Sequence, residues 1–220
     1  MKLSFSTRTA SVIAVCGVTA ALGCASASSS VELDQIADGV VKTSFRNQGM
    51  VKVDRLVQDD SNRECSAAEA TGKPVSAERA KQIEAANLKM VKWPSDGKFV
   101  GDWREGEKIA QSGRGLTWTD DPKMANGGNC YNCHQITKEE ISFGTIGPSL
   151  YNYGKIRGVS DPNSAAAKPI VEYTWGKIWN SKAYNACSNM PRAGHAGILD
   201  EAQVRHVVGL LLDPQSPVNK

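Results

Sequence analysis

The chain has 220 residues, 40% of them apolar, with 26 basic against 23 acidic residues and a formal net charge of +3 at pH 7. That near balance excludes the basic footprint of a nucleic-acid binder, and the apolar content excludes a disordered chain. The length suits one large domain, or a small domain with an elaborated N-terminal part.

The N-terminus predicts export. Lys2 and Arg8 form a basic start, and residues 10–22 are apolar and small, too short for the ~20 residues that span a bilayer. Ala25-Ser26-Ala27 offers an A-x-A cleavage pattern, so residues 1–27 read as a signal peptide and the mature chain starts at Ser28, released to the periplasm with no membrane span. The alternative is a lipidated Cys24 in Ala21-Leu22-Gly23-Cys24, where Leu22 stands one position later than that motif expects. Loss of Lys2 and Arg8 with the signal narrows the basic excess to a single residue.

Residues 28–100 read as an N-terminal extension packing on a C-terminal domain of residues 101–220. Within it, Gln58-Asp59-Asp60-Ser61-Asn62 reads as a polar turn, and residues 76–90 read as a helix ended by Pro94. The C-terminal domain opens with Asp102-x-x-Glu105, a capping-box-like start for a helix through about Ser112 with Trp103, Gly106, Ile109 and Ala110 on its apolar or small face.

Cys130-Tyr131-Asn132-Cys133-His134 follows, the C-x-x-C-H arrangement through which haem is covalently attached. Two thiols on one short turn can add to two vinyl groups as thioethers, and the next histidine then lies beneath the iron as an axial ligand. A thioredoxin-like motif would need a strand before it, yet the flanks are Asn126-Gly127-Gly128-Asn129 and Gln135-Ile136-Thr137. A four-ligand zinc site would need a second ligand pair, and no other C-x-x-C or H-x-x-x-H occurs. One covalently attached haem c is the expected cofactor.

Residues 144–158 are loop-rich, and in Gly147-Pro148-Ser149-Leu150 a carbonyl near Pro148 is placed to accept the other ring N–H of His134. Ser160-Asp161-Pro162-Asn163 is a turn, and residues 171–182 read as a helix with Trp175, Ile178 and Trp179 on its apolar side. The loop Asn189-Met190-Pro191-Arg192-Ala193-Gly194 presents Met190 as the sixth iron ligand, stiffened by Pro191; His195 is the alternative, and Met50, Met90 and Met124 read as gap-fillers. Arg192 is placed to pair with a haem propionate, or to stand as a solvated arginine. Asp200 and Gln203 start a last helix whose Val204, Val207, Val208 and Leu211 form one buried stripe. Gly106 would let the two helices cross closely, and His206, opposite the stripe, reads as solvated. No strand alternation persists, so the fold class is all-α and haem-centred.

Six cysteines sort under this reading. Cys16 and Cys24 leave with the signal, Cys130 and Cys133 take the haem, and the even remainder, Cys65 and Cys187, suggests one disulfide; two free buried thiols are the alternative.

These residues resemble the class I cytochromes c, and within them the X subunits of the SoxAX cytochromes of bacterial sulfur oxidation. The closer resemblance lies in Asn189-Met190-Pro191-Arg192-x-Gly194-His195-x-Gly197-Ile198-Leu199, with Leu211-Leu212-Asp213-Pro214 and Ser216-Pro217-Val218-Asn219, and runs from about Gly101 onward. The resemblance implies a heterodimer with a SoxA-type cytochrome subunit. That pair is an L-cysteine S-thiosulfotransferase, joining thiosulfate oxidatively to a cysteine of the SoxYZ carrier. The chain would itself be non-catalytic and would pass electrons to a small cytochrome c. One departure is the terminal helix, where Gly209-Leu210 stand in a region that commonly holds an aromatic residue. The competing expectations are a free-standing periplasmic electron shuttle, and a haem enzyme or gas sensor with an open distal site.

Overall fold

The structure, a computed structural model, describes residues 30–220; the segment expected to be a signal peptide, with Cys16, Cys24 and the Ala25-Ser26-Ala27 pattern, lies outside the described residues. Two units divide at Phe45 and Arg46. In the first, α1 (Ser30–Ser44) carries Glu32 in its first turn and Lys42 in its last, the order that complements a helix dipole.

The second unit builds on helices alone among the described residues, with a single isolated bridge between Gln48 and Val51. α2 (Asp60–Thr71) begins inside the segment expected to be a polar turn. Asp59 and Gly72 account for it: the Asp59 carboxylate accepts from Asn62 N–H at 2.8 Å, and Gly72 closes the helix in the left-handed region at φ 64°. The polar run is a cap and a first turn, and only Gln58 and Asp59 stand outside the helix. α3 (Ala77–Leu88) lies within the expected range, capped by Ser76.

α4 (Trp103–Gln111) crosses α7 (Glu201–Leu212) closely because two glycines remove the side chains that would collide. A Cβ on Gly106 would lie 2.1 Å from the His206 carbonyl oxygen, and one on Gly209 would lie 2.3 Å from that of Gly101. The latter explains why no aromatic residue stands at Gly209: the backbone before α4 occupies that space. α7 starts where Asp200 and Gln203 were expected to start it, and the two form a full capping box, with Gln203 N–H donating to Asp200 at 2.8 Å and Asp200 N–H donating to Gln203 Oε1 at 3.1 Å. At α4 the box is only half formed. Asp102 accepts from Arg104 N–H, but the Asp102 N–H that Glu105 would take donates to His206 Nδ1 at 3.0 Å, and Glu105 pairs with Lys108. His206 is therefore half-buried rather than solvated, because residues 100–102 cross the face opposite the apolar stripe and Gly101 N–H bonds Arg205 O.

α5 (Tyr153–Ile156) and α6 (Lys168–Trp179) complete the core. α6 begins three residues earlier than its apolar pattern suggested, since Pro169 sits in the first turn where a missing N–H costs nothing. Trp175 is fully buried, meeting Phe99 edge-on at 5.5 Å and stacking on Trp179 at 5.8 Å. Residues 59–92 are bound to this core by several ties. Trp175 Nε1 donates to Lys92 O, Asn180 Nδ2 donates to Asn87 Oδ1, and a disulfide joins Cys65 to Cys187 with Cα atoms 5.4 Å apart.

Candidate functional site

The C-x-x-C-H motif folds as a short 3-10 turn over Cys130–Asn132, entered through Asn129 in the left-handed region. The Cys130 carbonyl accepts from both Cys133 N–H and His134 N–H. That doubled bond gathers both thiols and the imidazole on one turn.

Residues 144–150 run along the motif as a strap. Gly144 N–H bonds Tyr131 O (3.0 Å), Gly147 N–H bonds Cys133 O (2.8 Å) and Leu150 N–H bonds Gln135 O (2.7 Å), while Ser149 Oγ donates to Gln135 Oε1. Within this strap His134 Nδ1 lies 2.7 Å from the Pro148 carbonyl oxygen. A carbonyl can only accept, so Nδ1 carries the hydrogen. In that tautomer the lone pair lies on Nε2, which makes no hydrogen bond with a described residue. Gly147 allows this approach, since a Cβ there would sit 2.1 Å from the imidazole Cε1.

Cys130 packs against the main apolar cluster, and burial pushes its thiol up to about 11. A reactive redox thiol is shifted the other way, toward thiolate. Among the described residues no group of three or more His, Cys, Asp or Glu side chains gathers as an ion site.

The segment preceding the motif is tied to the Met190 loop and to α7. Asn126 Nδ2 donates to Ile198 O (3.0 Å), Gln203 Nε2 donates to Asn126 O (2.6 Å), and Gly128 lies against Leu199. The Met190 loop is itself fastened to the end of α6. Ser181 Oγ donates to Met190 O (2.5 Å), Ala193 N–H to Ile178 O (3.1 Å) and His195 N–H to Trp179 O (2.9 Å). Met190 is half-buried against the same apolar cluster as Cys130, whereas His195 is exposed. Arg192 reaches Asp59 at the start of α2, with Nη1 2.6 Å from Oδ2. Burial opposes ionisation of Asp59, but the Asn62 N–H and the Arg192 guanidinium outweigh it and hold the carboxyl below its ordinary range.

A planar, mostly apolar macrocycle with an iron and two carboxylates requires thiols, an open imidazole nitrogen, apolar cover and hydrogen-bond donors. The motif supplies the first two. Trp118, Met124, Ile141, Phe143 and Ile146, all in the loops flanking the motif, expose large apolar side chains, Ile141 at 99% and Ile146 at 77%. Trp179 Nε1, beneath the Met190 loop, is a buried donor with no partner. Such a donor costs about 1–3 kcal/mol unless an acceptor is provided. The residues present therefore fit a haem.

Sequence reasoning missed the roles of Asn126, Trp179 and Asn219. Asn219 is buried, its Oδ1 accepting from Gly154 and Lys155 N–H and its Nδ2 donating to Leu211 and Asp213 carbonyls, which locks the end of α7 to the start of α5. Nothing in local spacing marks Asn126 and Asn219, because each bonds a distant segment, or Trp179, whose Nε1 is buried without a partner.

No family model matches the chain. At 37% identity over 131 residues, 59% of this chain, it is similar to a protein of Aquifex aeolicus (strain VF5) described as an uncharacterized lipoprotein. The alignment spans 58% of that relative, less than two thirds of its length.

Proposed function

We propose that this chain is an exported, monohaem c-type cytochrome of the class I fold, serving as the electron-carrying X-type subunit of a SoxAX-like complex. The observation that carries the haem reading is the His134 Nδ1–H bond to Pro148 O, which leaves Nε2 free as a donor atom within the C-x-x-C-H turn. Cys130 and Cys133 would hold the cofactor by thioether bonds, His134 and Met190 would ligate its iron, and Pro148 would fix the histidine tautomer. The unpartnered Trp179 Nε1 could donate to a carboxylate, and Arg192 could share its charge between Asp59 and a propionate. The bound group supplies a one-electron centre; the protein's part is to hold two ligands rigidly and to exclude exchangeable ones.

The fastening of the Met190 loop to α6 supports a closed site over an open one, because three bonds would have to break to withdraw the loop. Partnership with a SoxA-type subunit, action on thiosulfate and the SoxYZ carrier, and electron delivery to a small cytochrome c rest on the sequence resemblance of the Met190 block. Export is supported by the basic and apolar N-terminus, and the relative's description as a lipoprotein adds weight to anchoring through Cys24.

Acid–acetone extraction of the purified protein should leave one haem on the polypeptide, and a haem that extracts freely refutes covalent attachment. Replacing Met190 by Ala should open the iron to carbon monoxide and lower the potential. An unchanged spectrum would assign the cap to another residue. Native mass measurement with a candidate A subunit tests the heterodimer, and the mass of the N-terminal peptide distinguishes lipidated Cys24 from free Ser28.

A further inference from the structure

Away from the C-x-x-C-H turn, a cleft of about 740 Å³ runs beside the Cys65–Cys187 disulfide, with Gln58, Asn62, Glu69, Asn185 and Ser188 among its lining. The two sulfurs differ in setting. Cys187 is exposed, whereas Cys65 is half-buried on α2. Beneath Cys65 lies Lys182, only 5% exposed. Its ammonium donates to Ala186 O at 3.0 Å and sits 3.7 Å from Cys65 Sγ, and it forms no ion pair among the described residues. A buried ammonium normally takes a carboxylate partner. Here the Cys65 sulfur, a group that can become an anion, stands 3.7 Å away, while the Asp59 carboxylate attracts the ammonium and the Arg192 guanidinium repels it without an ion-pair contact. A cation at that distance stabilises a thiolate, and a stabilised thiolate is the better leaving group in disulfide exchange.

We propose that the Cys65–Cys187 bridge is a thiol–disulfide exchange site, at which an incoming thiolate attacks the exposed Cys187 sulfur and Cys65 departs as a thiolate held by the Lys182 ammonium. The reagent class is a dithiol. Its first thiolate forms a mixed disulfide with Cys187 as the Cys65–Cys187 bond breaks. Its second thiolate then attacks the reagent sulfur of that mixed disulfide and releases Cys187. The dithiol loses two electrons and two protons and becomes a disulfide; Cys65 and Cys187 gain both electrons and both protons and become thiols. The cleft gives the reagent access, and the asymmetry of burial and charge fixes which sulfur is struck. The inference does not depend on haem being bound.

The test uses the full-length mature protein, with any free thiols first alkylated by iodoacetamide. A pulse of reduced glutathione followed by N-ethylmaleimide and peptide mass mapping should place glutathione on Cys187 and maleimide on Cys65. The reverse placement, or an even mixture, overturns the proposal. Dithiothreitol should reduce the native bridge without global unfolding, and Lys182→Met should slow that reduction roughly tenfold while Lys182→Arg restores most of the rate. An unchanged rate in Lys182→Met removes the role of the ammonium, and reduction only after addition of denaturant removes the site. The mass-mapping arm stands on the unmutated protein, so a poorly folding Lys182→Met variant does not spare the proposal from refutation.

Discussion

Cys130 is packed against the apolar core, and under the proposed reading the same sulfur would have to be reached once by a haem vinyl group. With its thiol pushed up to about 11 by burial, Cys130 is mostly protonated at pH 8 in the folded chain without a bound group. Iodoacetamide should therefore label Cys130 far more slowly in the folded chain than in urea, by roughly a hundredfold, and equal rates would show that the thiol is not buried. The sign for stability follows from the raised value. The contribution is fully present below about 9, the ordinary thiol value, and is lost as pH climbs through 11, so the haem-free fold should weaken in that alkaline window. Gly147 makes a second residue-scale test. Gly147→Ala places a methyl group 2.1 Å from the His134 ring, which must swing away from Pro148 O. Overpacking of this kind costs about 1–3 kcal/mol, and a melting curve unchanged from the parent would place the strap further from the histidine.

Among elements, the α4–α7 crossing and the α2 cap carry the most readable consequences. Gly106→Ala should destabilise by at least about 1–3 kcal/mol, because the new methyl group meets backbone at the His206 carbonyl rather than a side chain that could move. Denaturant titration gives the number, and a change below the error of the fit would mean the helices are not in close contact. Asp59 caps α2 and pairs with Arg192, and its lowered carboxyl range makes the contribution present above about 3.8 and lost as the pH falls below it. Asp59→Asn should keep much of the cap but lose the ion pair, flattening the acid limb of the stability profile. The capping motif of α7, the small residue at Gly106, the apolar stripe of the last helix and the Pro148 carbonyl were all legible in sequence, because each depends on residues within a few positions or on a glycine with one meaning. α2 was hidden by its own cap, since Asp59-Asp60-Ser61-Asn62 is as good a turn as a helix start. His206 was misjudged because helical periodicity reports where the apolar stripe lies and not what crosses the opposite face.

At the scale of the whole chain, the division between an extension and a C-terminal domain near residue 100 was drawn from composition and motif position, while the compact units divide at residue 45. Residues 46–100 bring few large side chains to the core, so their attachment is made through single backbone and side-chain bonds that no periodicity announces. The disulfide is the strongest of these. Closing a loop with a sequence separation of 122 stabilises by about 4–5 kcal/mol in the chain-entropy model. Cys65→Ala with Cys187→Ala should lower the denaturation midpoint clearly, and a double variant as stable as the parent would show that the extension is held by its other bonds.

Those ties also bear on time. Trp175 bonds Lys92 across 83 residues, Asn180 bonds Asn87 across 93, and the disulfide spans 122. A helical protein usually folds quickly because its contacts are local, but here the core is finished by pairings between distant parts of the chain, and each must find its partner through a search whose entropy is met before any contact repays it. The order of events then matters: a chain that keeps its bridge starts the search with one distant pair already joined. Stopped-flow refolding of the oxidised chain should be faster than that of the reduced and alkylated chain, and equal rates would mean that the bridge forms between segments already held together when the slow step is crossed.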